Sequence, residues 1–87
     1  MSMVEAEILS RVIEPEEASL EPKVAEAVLA MGFKTRDKQR IDELAEKARE
    51  GTLSKEERVE AESYERVGHL VSLLKSKARH SLASSRA

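Results

Sequence analysis

Apolar residues at Val4, Ile8, Leu9, Val12 and Ile13 recur at helical spacing, with Glu5, Glu7 and Arg11 outside the stripe, and predict a helix over 4–13. Pro15 turns Glu14 away from the helical region, so the β-branched end Val12-Ile13 also suits an extended segment. A polar stretch, Glu14 to Ser19, then breaks the chain direction. Ser19 suits an N-cap and Pro22 a first helical turn, where a missing N–H does no harm. Val24, Ala25, Val28, Leu29 and Met31 form the apolar side of a short second helix, which Gly32 is expected to end, with Phe33 folding back as a core plug.

Thr35 to Lys38 opens a third helix, in which Ile41, Leu44, Ala45 and Ala48 recur at i, i+3, i+4 and i+7 and Glu43 can pair with Lys47. Gly51 stops it. After two more residues, Ser54-Lys55-Glu56-Glu57 reads as a capping box for a last helix running from Lys55 towards Leu82. So short a connection predicts an antiparallel αα-hairpin. Tyr64, Val67, Val71, Leu74 and Ala78 step by three and four along the last helix, widened by Leu70 and Leu73. Its distal half exceeds the third helix in length, so the N-terminal helices or another molecule must cover it. The expected fold is all-α: one small helical domain over 1–82, ending in a hairpin whose last helix is long, with a frayed tail over 83–87.

Composition narrows this picture. The 87 residues include 23 Leu, Ile, Val, Met and Phe, one Tyr and no Trp, so the core is thin and nearly free of aromatics. The lack of Cys removes thiol catalysis, disulfides and Cys-based zinc sites. It also fits a reducing interior. No apolar run reaches the roughly 18–20 residues of a membrane span, and acids stand where a signal peptide has positive charge. A cytoplasmic protein is expected. The net charge of −2 hides a split. Residues 1–65 hold all 17 acids and ten Lys or Arg, a net −7, whereas 66–87 hold five cations and no acid. Such polarity bears on partners rather than on fold.

Candidate chemistry is sparse. His69 and His80 lie roughly 16 Å apart along one helix and cannot share a metal ion. No nucleophile–base constellation has recognisable spacing. No catalytic residue, metal or cofactor is expected. Gly68, inside the last helix, costs about 1 kcal/mol against alanine. Either packing elsewhere tolerates it, or another helix or a partner backbone approaches there, beside Leu70, Val71 and Leu74. Lys75, Lys77 and Arg79 suit the negative end of a helix dipole, and alternatively contact nucleic-acid phosphates. Acids on the first half of the last helix are partly neutralised by a Glu62–Arg66 pair.

The segments Ile8–Pro15, Leu44–Glu57, Tyr64–Leu70 and Leu74–Arg79 resemble a family of small bacterial helical proteins. Members of that family look like the small partner of a two-gene pair with an HNH-type nuclease, in an antitoxin or immunity arrangement. The resemblance implies a non-enzymatic protein that binds and restrains a nuclease, and carries over no catalytic residue. Val67, Gly68, Leu70, Val71 and Leu74, with Ile8, Leu9 and Val12, are then the expected docking residues. A nucleic-acid-binding regulator using Lys75, Lys77 and Arg79, and a self-associating helical module, are the alternatives.

Overall fold

The computed structural model describes residues 3–86 and contains four helices, with no strand among them. They are α1 (Met3–Ile13), α2 (Pro22–Leu29), α3 (Thr35–Glu50) and α4 (Lys55–Arg86). A 32-residue helix spans about 48 Å at 1.5 Å per residue. The whole molecule measures 49 × 28 × 16 Å, so α4 is its spine. Among the described residues α1, α2 and α3 each pack on α4 and not on one another. A body 16 Å thick is little more than one helix diameter, and each short helix leaves its far side in solvent.

The first segment is helical to Ile13, which excludes the extended alternative. Glu14 ends it in the left-handed region, φ 52°, ahead of Pro15. Lys77 Nζ donates to the carbonyl of Ile13 at 2.6 Å, so this lysine caps the C-terminus of α1 rather than serving the dipole of its own helix. The N-cap of α2 is Glu21, with Pro22 first in the helix, and its side chain caps nothing. Ser19, expected to cap, lies two residues too early, its own N–H spent on the Glu17 carbonyl at 3.0 Å. Nor does Gly32 end α2. The helix stops at Leu29, with Ala30 as a right-handed C-cap, and only Gly51 among the glycines has positive φ.

The two N-terminal helices cover the distal half of α4. The Leu20 N–H donates to Ser81 Oγ at 3.1 Å, tying the start of α2 to the end of α4. Gly32, beyond the other end of α2, lies beside Lys75. Between these tie points Ala78 is fully buried, as is Ala25 on α2. Small side chains let the helix axes approach closely. The tail expected to fray continues α4 through Arg86, because Ala83-Ser84-Ser85 contains no helix breaker and Ser85 Oγ donates to the Leu82 carbonyl at 3.0 Å.

At the other end of the molecule the α3–α4 turn matches the capping box. Ser54 N–H donates to Glu57 Oε1 at 3.0 Å, and Glu57 N–H to Ser54 Oγ at 3.1 Å. Gly51 supplies the left-handed C-cap of α3, φ 70°. Partners then descend α3 as α4 rises: Lys47 with Glu57, Arg40 with Glu60, Asp37 with Tyr64. Leu44, 3% exposed, is the one large apolar side chain buried among the described residues.

The i, i+4 ion pairs expected from spacing give way to other partners, across to α4 for Lys47 and one turn away on the same helix for Glu43 and Arg66. Lys47 reaches Glu57 at 2.6 Å, and Glu43 is taken by Arg40 at 3.0 Å. Arg66 turns to Ser63, Nη2 to Oγ 3.4 Å, rather than to Glu62, and its Nε is buried without a hydrogen-bond partner. The hydrogen bond from Lys47, then the Ser54 amide, lowers the Glu57 carboxyl from 4.5 to about 2. A depressed carboxyl stabilises the fold fully above its unfolded value and loses that contribution as pH falls towards the folded value. Thermal unfolding followed by circular dichroism is therefore expected to show a melting temperature that drops between pH 4.5 and about 2. Glu57→Gln should flatten this drop and lower the plateau above it. An unchanged profile in the variant would refute the link.

Candidate functional site

The inner face of α1 is small and polar. Ala6 is 7% exposed and Ser10 is half-buried, and both border His69 of α4. Ser10 also lies beside Leu73. The larger apolar residues point the other way: Val4, Ile8, Leu9 and Val12 are 64%, 45%, 39% and 71% exposed. Val4, Ile8 and Val12 stand at i, i+4 and i+8, one line along a helix, with Leu9 beside it. Of the apolar set read from the sequence, Ile13 is more covered, and its carbonyl is held by Lys77. The stripe that spacing identified is therefore an outer face, flanked by Glu7 and Arg11, four residues apart and of opposite sign.

The expected docking residues on α4 fare differently. Val67 is exposed, but Leu70, Val71 and Leu74 are half-buried on the spine that α1 and α2 cover. No other helix of the chain approaches Gly68 closely enough to require a glycine, and only the Phe33 side chain lies over it. A Cβ there would stand 3.7 Å from Phe33 Cε2. Phe33 also meets Tyr64 edge-on, ring centroids 5.7 Å apart and planes at 73°. The structure thus separates Ile8, Leu9 and Val12, which remain open, from Gly68, which the chain itself covers.

Beside Val67 the α3–α4 seam is polar. Arg40 donates to Glu60 through Nε at 2.9 Å and Nη2 at 2.7 Å, a two-pronged contact, and to Glu43 through Nη1 at 3.0 Å. These hydrogen bonds raise the guanidinium pKa further and lower that of Glu60. Tyr64 donates to Asp37 at 2.7 Å, and that bond pushes the phenol pKa up. Each group is committed to a structural partner, and none is paired with a nucleophile.

The basic trio does not form one surface. Lys77 is spent on α1, Lys75 lies near Gly32, and Arg79 is exposed. At 100° per residue, positions 75 and 77 face nearly opposite sides of a helix. His69 and His80 are both exposed, and among the described residues no three His, Cys, Asp or Glu side chains are grouped to hold a metal ion. Among the described residues no helix is long and apolar enough to cross a membrane.

Two features escaped the sequence reading. One is the outward turn of α1, invisible because periodicity reveals a stripe but not what lies against it. The other is the convergence of Lys34 and Lys38 with Lys75 across the loop before α3, which sequence distance conceals. Comparison with protein-family models, with curated proteins and with solved structures gave no match.

Proposed function

We propose that this chain is a non-enzymatic protein-binding module whose docking surface is the outer face of α1, and that its partner is a nuclease which it restrains. The observation that carries the binding reading is the apolar line Val4, Ile8 and Val12 exposed on a helix whose opposite face is already packed. Exposed apolar residues in a contiguous line, rimmed by charge, are the form of an anchor for another protein. The choice of a nuclease comes from the sequence resemblance, and the acidic body supports it. Residues 1–65 carry a net −7, which complements the basic cleft of an enzyme that binds nucleic acid. Apolar contact by α1 would anchor the complex, while carboxylates of the body answer cations in the cleft.

Co-expression with the product of the gene adjacent to its own tests the reading. Co-purification is expected, together with a fall in nuclease activity that reaches its limit at a fixed stoichiometry. No complex, with nuclease activity unchanged across the titration, overturns it. Light scattering on the isolated chain should show a monomer; self-association that conceals Val12 would assign the stripe to a second copy instead.

A further inference from the structure

The loop Ala30–Lys34, Lys38 and the facing turn of α4 border an open hollow of about 600 Å³. Its floor is apolar, formed by Met31, Phe33 and Val71, with Gly68 beneath the phenyl ring. Its polar side chains are Lys34, Lys38, Lys75 and Ser72, and no carboxylate lines it. Among the described residues none of the three lysines makes an ion pair. In a chain with more acids than bases, three ammonium groups around one hollow with no carboxylate among them concentrate positive charge there. Lys75 is the most telling. It is half-buried, and its Nζ would stand 3.7 Å from a Cβ on Gly32. The Lys75 ammonium therefore lies over the loop at ordinary contact distance from Gly32, at the edge of the hollow.

The geometry points to a binding site for a small organic phosphate, its anionic head held by Lys34, Lys38 and Lys75 and its body resting on Phe33, Met31 and Val71. A phosphate accepts several hydrogen bonds at once, which suits three ammonium groups and the Ser72 hydroxyl. The volume lies within the range of small-molecule sites, roughly 300–1,000 Å³. An extended polyanion is the poorer fit, because the surrounding body is net negative and repels charge beyond the hollow. The site shares no residue with the outer face of α1 and does not depend on the nuclease reading.

Nuclear magnetic resonance titration of the ¹⁵N-labelled chain, at ionic strength held constant with sodium chloride, tests the site with adenosine 5′-monophosphate, inorganic phosphate and adenosine as probes. Saturable shifts are expected at the Gly32, Gly68 and Ser72 amides. Adenosine 5′-monophosphate should bind at least threefold more tightly than inorganic phosphate, and at least tenfold more tightly than adenosine. The double variant Lys38→Ala/Lys75→Ala should weaken it at least tenfold, whereas Lys75→Arg keeps most of the affinity. Should the double variant lose helicity, Ser72→Asp decides the matter, because an exposed carboxylate at that position occupies the hollow and excludes the probe. Shifts that do not saturate, that are equal for adenosine, or that persist in Ser72→Asp overturn the assignment.

Discussion

Replacing Ala78 by leucine is expected to lower the melting temperature by roughly 5–20 °C, from an overpacking cost of about 1–3 kcal/mol and 4–8 °C per kcal/mol for a domain of this size. The reason lies in how little holds α2 to α4. Ala78 has no exposed surface, nor has Ala25 on the helix above, and the contact is closed at one end by the Leu20–Ser81 hydrogen bond. Ser81 Oγ both receives the Leu20 N–H and donates to the Lys77 carbonyl at 2.9 Å, which fixes its rotamer. A leucine side chain has no hollow to enter, so the helices must separate, and that hydrogen bond goes with them. Its loss leaves a half-buried backbone donor unsatisfied, a further cost of the same order. Circular dichroism melts check the result. Ala83→Leu, on the exposed side of the same helix, is the control and should change stability by no more than about 0.5 kcal/mol. Equal effects at the two positions would mean that the α2–α4 contact contributes little.

That contact also decides how the sequence should be weighed. Hydrophobic spacing located all four helices, and the Ser54–Glu57 box and Gly51 marked the α3–α4 turn atom by atom, because caps are local chemistry. Sidedness was legible only in part. For α2 the expected side holds in part, with Ala25 buried and Val28 and Leu29 half-buried. In α1 the spine-facing residues include Ala6 and Ser10, which carry weak hydrophobic signals and allow close approach. Larger neighbours such as Val12 and Val24 dominate the periodicity while facing solvent. The same limit applies to charge. Glu43 could pair with Lys47 by spacing alone, yet an adjacent antiparallel helix offered Arg40 and Lys47 carboxylates at Glu60 and Glu57. Cross-helix carboxylates take Lys47 and share Arg40 with Glu43 of its own helix, and sequence distance gives no warning of it. The overhang of α4 was legible as an unmet need. Of the two covers it allowed, the N-terminal helices or another molecule, the fold supplies the first, α1 with α2.

Covering the overhang moves the evidence for a partner from α4 to α1, and with it the most informative substitution. Val12→Glu is expected to reduce binding of the proposed nuclease partner at least thirtyfold while leaving the melting temperature within experimental error. Ile8→Glu, at 45% exposure, should reduce binding as much with a small loss of stability. The affinity loss corresponds to about 2 kcal/mol, the threshold of an interface hot spot. The stability should not change because Val12 is 71% exposed and gives up almost no buried area when it becomes charged. Helix propensity works in the same direction, since glutamate is at least as good a helix former as valine. Val59→Glu supplies the matched control. Val59 is 61% exposed, comparable to Val12, but lies on the proximal part of α4, away from α1. Binding measured by titration calorimetry, alongside melts of each variant, separates the outcomes. Loss at Ile8 and Val12 with Val59 neutral locates the partner on α1. Equal loss at all three would instead indicate that added negative charge repels the partner, against a basic cleft, and the loss would then shrink as salt is raised. Retained affinity at Ile8 and Val12 would remove α1 as the docking face, however apolar its outer surface.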